Sequence, residues 1–137
     1  MKQELRSSLG RPYITIETDP ATPWVAVEWV GYLTAESIKA GAKAYIEAVA
    51  ASGRHCVLND TRRVLGPWDH SMEWVLNEWA PSATAAGVRH FAMISVPDSM
   101  ADASAATFYA QLKGFEVRIF GNDDDAKAWL RTACGPK

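Results

Sequence analysis

Three stretches of the C-terminal half decide the fold: Val88-Arg89-His90-Phe91-Ala92-Met93-Ile94-Ser95-Val96, Phe115-Glu116-Val117-Arg118-Ile119-Phe120, and Asp123 to Leu130 closing on Ala128-Trp129-Leu130. Phe91 to Val96 is a near-continuous apolar run of strand length, the pattern of a strand buried on both faces. After it, Asp98 is expected to cap a helix that turns Met100, Phe108 and Leu112 inward and ends at Gly114. Phe115 to Phe120 is a second strand. Gly121-Asn122 then opens a last helix, whose first turn sets Asp123, Asp124 and Asp125 against the positive end of its dipole, with Ala126, Trp129, Leu130 and Ala133 on the buried face. Strand, crossover helix and strand with little connecting loop predict a parallel pair with a right-handed crossover.

The pattern extends backwards from there. Tyr13 to Thr18 and Trp24 to Val30 alternate, with Ile14, Ile16, Val25, Val27 and Trp29 on core faces. The turn Asp19-Pro20-Ala21-Thr22-Pro23 joins them, so they read as an antiparallel hairpin. Thr34 caps a helix whose apolar stripe is Ile38, Ala42, Tyr45, Ile46 and Val49, and Gly53 stops it. Cys56-Val57-Leu58 is a short strand ending at Asn59-Asp60-Thr61. A further helix begins at Asp69 or His70 and buries Met72, Val75, Leu76 and Trp79, with Pro81 ending or kinking it. The predicted order is β-β-α-β-α-β-α-β-α: an α/β domain over residues 12–134 with a mixed, mostly parallel sheet. Residues 1–11 are expected to be a flexible polar segment.

Composition bounds the function. A chain of 137 residues can bury one core, and a net charge of −2 argues against a nucleic-acid partner. The N-terminus has no apolar stretch of signal-peptide type, and no run approaches the ~20 apolar residues of a membrane span. Cys56 and Cys134 are expected to be reduced thiols of a cytoplasmic protein. No Cys/His cluster suggests a metal, no glycine-rich loop suggests a phosphate, and no cofactor is implied.

The strand Cys56 to Thr61, the segment Arg89-His90-Phe91-Ala92-Met93-Ile94, and Val117-Arg118-Ile119-Phe120 followed by Ala126 and Ala128-Trp129-Leu130 resemble the SpoIIAA-like branch of STAS-like domains, a STAS/SEC14 grouping of small bacterial proteins. The resemblance implies a regulatory domain that acts by protein contact. In phosphorylated members of that group, a Ser or Thr after the third strand, at the start of the next helix, switches partner binding. Thr61 and Ser71 are the phosphoacceptor candidates by position, although Asp60 to Ser71 replaces the compact Asp-Ser-Ser/Thr-Gly turn of those members.

Asp60 to Ser71 is also the best site candidate from the residues themselves. It leaves the carboxyl end of a central strand, where open α/β sheets place ligands. Asp60, Thr61, Arg62, Arg63, Trp68 and His70 are expected to share one exposed stretch, the arginines offering forked donors to an anion. Trp74 lies off its helix's buried stripe and, with Val64, Leu65 and Trp68, is expected to form a hydrophobic surface. Asp69-His70-Ser71 is not a catalytic triad, because three consecutive residues cannot converge on one reacting atom. The expected function is a non-enzymatic cytoplasmic module that binds a protein partner, with a homodimer as one arrangement. The alternative is a carrier or sensor of a small apolar or lipid-like ligand, which requires a cavity of ~300 Å³ or more.

Overall fold

A computed structural model describes residues 1–135. Its strands are β1 (Lys2–Arg6), β2 (Pro12–Thr18), β3 (Trp24–Gly31), β4 (Cys56–Val64), β5 (His90–Ile94) and β6 (Glu116–Phe120). They form one six-stranded sheet in simple sequence order. The β1–β2 and β2–β3 pairs are antiparallel, and β3 to β6 are parallel. Parallel neighbours need long crossovers, and each crossover here is helical. The α/β architecture and the expected element order therefore hold, with one strand added at the front.

That added strand corrects the expectation of a free N-terminal segment. Lys2 to Leu5 pair with Glu17 to Ile14 along the outer side of β2. The sequence hides this strand because it is an edge. Its side chains are charged or polar apart from Leu5, the residue that packs against the core.

Helix α1 (Ala35–Ser52) starts where expected: the Thr34 hydroxyl accepts from the Ser37 N–H at 3.0 Å. It ends at Gly53, which takes φ 70° and donates its N–H to the Val49 carbonyl. From Asp69 to Ala86 the chain is one rod of changing pitch. A 3₁₀ turn (Asp69–Ser71) leads into α2 (Met72–Trp74), a π turn (Val75–Trp79) and α3 (Ala80–Ala86). Pro81 lies within the rod and does not end it. It directly follows the widened π turn, in which the Ala80 N–H reaches back to the Val75 carbonyl, and this local change of pitch accommodates a residue with no N–H to donate.

Helix α4 (Met100–Gln111) is capped by Ser99 rather than Asp98. The Ser99 hydroxyl accepts from the Asp102 N–H at 3.0 Å, while Asp98 takes the left-handed φ of 65°. The Asp102 carboxylate completes the start of the helix. It accepts from the Ser95 hydroxyl at 2.5 Å and from the Asp98 N–H at 3.0 Å. Ala101, Ser104, Ala105 and Phe108 face inward, and Met100, expected inside, is exposed. Helix α5 (Asp123–Cys134) is capped by Asn122 and buries Ala126 and Leu130, with Trp129 and Ala133 partly covered.

Two cores result. The larger joins α1, the 69–86 rod and α4 to one sheet face through Ile14, Val27, Trp29, Val57, Trp79, Phe91 and Phe108 among others. The smaller packs α5 on the opposite face through Trp24, Cys56, Leu58, Ala92, Ile94, Ala126 and Leu130. Cys56 begins β4 and Cys134 ends α5 in this second layer, with Cα atoms 6.4 Å apart, and the two form a disulfide. The expectation of two reduced thiols is thereby corrected. The cysteines stand 78 positions apart in the chain, and the packing of α5 on the sheet brings them together.

Candidate interaction face and the cavity beneath it

The segment expected to be one exposed loop is mostly strand. β4 runs on to Val64, so Asn59, Asp60 and Thr61 alternate across the sheet instead of clustering in a loop. Asn59 and Thr61 point into the larger core, and Asp60 points to the α5 side. Near the end of β4 the pairing with β3 slips: Glu28 opposes Asp60, but Val30 opposes Arg63. This bulge breaks the alternation, so Arg62 and Arg63 are both exposed and Val64 returns to the core.

Arg62 is not a free anion receptor. Its Nε donates to Asp60 Oδ1 at 3.0 Å and its Nη2 to Asp60 Oδ2 at 2.7 Å, a bidentate pair. That hydrogen bonding, together with the charges of Asp60, Asp123 and Glu28, raises the guanidinium pKa against a smaller lowering by burial. Asp123 lies 4.0 Å from Arg62 and also pairs with Lys127 at 2.8 Å. Asp60 and Asp123 line a groove of about 340 Å³ between the start of α5 and the uncovered half of the sheet, together with Glu17, Asp19, Glu28, Lys2 and Lys127. No three carboxylate, His or Cys groups among the described residues are placed to hold a metal.

Thr61 and Ser71 are both buried, at 5% and 3% exposure. The Thr61 hydroxyl donates to the Ile94 carbonyl at 2.7 Å, and the Ser71 hydroxyl sits 3.1 Å from His70 Nδ1. A kinase reaches neither without local opening of the fold. His70 itself is exposed, and no carboxylate bonds its ring among the described residues. His55 contacts the Gly87 carbonyl, and His90 pairs with Glu116 at the amino end of the sheet, away from the candidate face.

The expected surface of Val64, Leu65, Trp68 and Trp74 does not assemble. Val64 and Trp68 are buried, and Trp74 is half-covered, with the Lys39 ammonium 5.9 Å from its ring centre. Leu65 alone of the four is exposed, at 52%. It has other company. Leu65 donates its N–H to the Gly31 carbonyl, which places it beside Tyr32, the residue that follows β3. Tyr32 is 78% exposed, and Val96 and Met100 are exposed just past the end of β5. Each of three adjacent parallel strands is thus followed by exposed apolar side chains, and the cation Arg63, one residue before the end of β4, is exposed as well. Sequence periodicity cannot find such a rim, because each residue lies in a short connection outside any repeating pattern.

Beneath the rim lies an apolar cavity of about 50 Å³. Trp29, Tyr45, Trp68, Trp79, Met93 and Phe108 are among its walls, and burial raises the Tyr45 phenol pKa so that it stays neutral. This volume is far below the ~300 Å³ that a lipid-like ligand requires, so the lipid-carrier expectation does not fit this conformation.

The comparisons with known proteins agree with this architecture. A crystal structure of an uncharacterised protein of the DUF3478 family with a SpoIIAA-like fold, from Shewanella loihica PV-4, is 21% identical. The match covers 85% of this chain and 91% of that one, with a TM-score of 0.58. The crystal structure of an anti-sigma factor antagonist from Mycobacterium paratuberculosis is 15% identical, covers 93% of this chain and 99% of that one, and gives a TM-score of 0.59. At these identities the likeness is one of fold. No curated protein matches the chain. The sequence profile of the SpoIIAA-like family matches residues 24–131, from the first residue of β3 into the last turn of α5, and the chain belongs to that family.

Proposed function

We propose that this protein is a non-enzymatic regulatory module that works by protein–protein contact through the carboxyl ends of β3, β4 and β5. The observation that carries the reading is that four of the seven large apolar side chains exposed among the described residues, Tyr32, Leu65, Val96 and Met100, follow the carboxyl ends of β3, β4 and β5. Exposed apolar side chains gathered at one edge mark interaction surfaces, and tyrosine is favoured at their centres. The partner this reading favours is a protein of the anti-sigma-factor kind, by analogy with the antagonist that shares the fold. A second copy of the chain is the competing occupant. Arg63 and His70 are exposed on the chain around this end of β4, the Asp60–Arg62 pair lies on its α5 side, and Thr61 and Trp68 are buried beneath. With Thr61 and Ser71 buried, contact rather than phosphorylation at these residues sets the interaction.

Calorimetric titration of the purified protein with the anti-sigma factors of its own host tests this. One of them should bind, and Tyr32→Ser should weaken it by about thirtyfold, the loss expected at an interface centre. The reading fails if none binds, or if binding survives both Tyr32→Ser and Leu65→Ser unchanged.

A further inference from the structure

The cavity under the rim has more hydrogen-bond donors than acceptors to match them. Trp68 and Trp79 are 8% and 3% exposed, both line the cavity, and the indole Nε1–H of each has no partner among the described residues. Buried donors are nearly always satisfied, and each one left bare costs about 1–3 kcal/mol. The third indole in the wall shows the ordinary solution, since Trp29 Nε1 donates to Asn59 Oδ1 at 2.8 Å. The other end of that amide adds to the excess. Asn59 Nδ2 has only the Met93 thioether sulfur, a weak acceptor, at 3.1 Å.

The two unpartnered indoles are held in place by aromatic packing. Trp68 and Trp79 lie 5.9 and 6.0 Å from the Phe108 ring, and Trp79 also packs on Phe91, Phe115 and Tyr45. Neither can swing its N–H out to solvent without dismantling this cluster. The wall carries no Lys, Arg or His, so an anion entering it would lose its hydration with no opposite charge in return. Leu33 is the one lining residue that is not buried, and it lies in the β3–α1 connection beside Tyr32. The way in therefore passes Leu33.

We infer that this cavity binds a small uncharged molecule with an apolar body and one or two acceptor oxygens, received by the indole N–H groups of Trp68 and Trp79. The space admits about three to five water-sized atoms, which sets the ligand's size in this conformation. Ethers, ketones and esters of that size fit the chemistry. Carboxylates and pure hydrocarbons do not.

The test uses the full chain labelled with ¹⁵N at the tryptophan indoles and three probes of about five heavy atoms: tetrahydrofuran, cyclopentane and propionate. Tetrahydrofuran and cyclopentane share shape and differ by the acceptor. The Trp68 resonance is assigned from Trp68→Phe, and that of Trp79 from its contacts to Phe91 and Phe115. Tetrahydrofuran should move both indole protons downfield saturably, while cyclopentane and propionate should not. Trp68→Phe should weaken tetrahydrofuran at least about fivefold, and cyclopentane should remain without effect on the Trp79 indole of that variant. The inference is overturned if tetrahydrofuran at 0.1 M (about the highest useful concentration for so small a probe) leaves both resonances in place. It is equally overturned if all three probes shift them alike, or if both indoles contact only resident water that tetrahydrofuran does not displace.

Discussion

Gly41 sits in the middle of α1, where alanine would ordinarily stabilise a helix by about 1 kcal/mol. At this position the sign reverses. A Cβ on Gly41 would lie 2.6 and 2.8 Å from two ring carbons of Trp29 and 2.9 Å from the tip of Ile14. Ile14 can rotate its terminal methyl away, but Trp29 cannot yield so easily. Its ring is fixed by the 2.8 Å bond from Nε1 to Asn59 and by the edge contact with Tyr45 at 6.3 Å. Making room means tilting the ring by most of an ångström or moving α1 off the sheet. Overpacking of this kind costs about 1–3 kcal/mol. Set against the helix gain, Gly41→Ala should lose about 1 kcal/mol net. In urea that is a lower transition midpoint with an unchanged slope. The Trp29 indole resonance should shift as well, because its bond to Asn59 lies in the path of the tilt. A variant as stable as the parent or more so, with the Trp29 resonance unmoved, would refute the claim that α1 is seated on Trp29 through Gly41.

Three further outcomes follow from particular contacts. Cys134→Ser opens a loop of 78 residues, and the chain-entropy relation puts the loss at about 4.5 kcal/mol; thermal denaturation of the variant against the parent reads it. Asp102→Ala strips the acceptor from the Ser95 hydroxyl and the Asp98 N–H at the head of α4, and should cost about 1–3 kcal/mol by denaturant titration. Alkylation of unreduced protein taken directly from host cells should label neither Cys56 nor Cys134. Quantitative labelling of both would mean that the disulfide is not the resident state.

The repeating elements of the fold were legible because burial imposes a period. The alternation of Val25, Val27 and Trp29 and the 3.6-residue stripe of α1 both face the larger core, and Thr34 and Gly53 mark the ends of α1 as their chemistry requires. What escaped has no period. β1 is written in charged residues because an edge strand buries almost nothing, and the disulfide joins residues that meet only in the folded chain. The cap of α4 lies one residue beyond the expected Asp98, and Ser99 is an equally good capping residue. Ser99 takes the extended backbone, and Asp98 is left with positive φ. At the candidate site, the run Asp60 to Arg63 looked like a polar loop, but a central strand tolerates such residues when each has a partner. Asp60 has Arg62, and Thr61 has the Ile94 carbonyl. The tryptophans misled for a related reason. Trp68 and Trp74 fall off simple stripes, yet Trp68 is buried by layers that arrive from far along the chain.

The central claim is that the carboxyl edge of the parallel strands is a protein-contact face, and site-specific photo-crosslinking in the native host tests it most directly. A benzophenone side chain at Leu65, half-exposed and in the rim, should yield a discrete protein adduct. The same group at Tyr109, equally exposed on the outer side of α4, should yield none. No adduct from position 65, or the same adducts from both positions, would contradict the account.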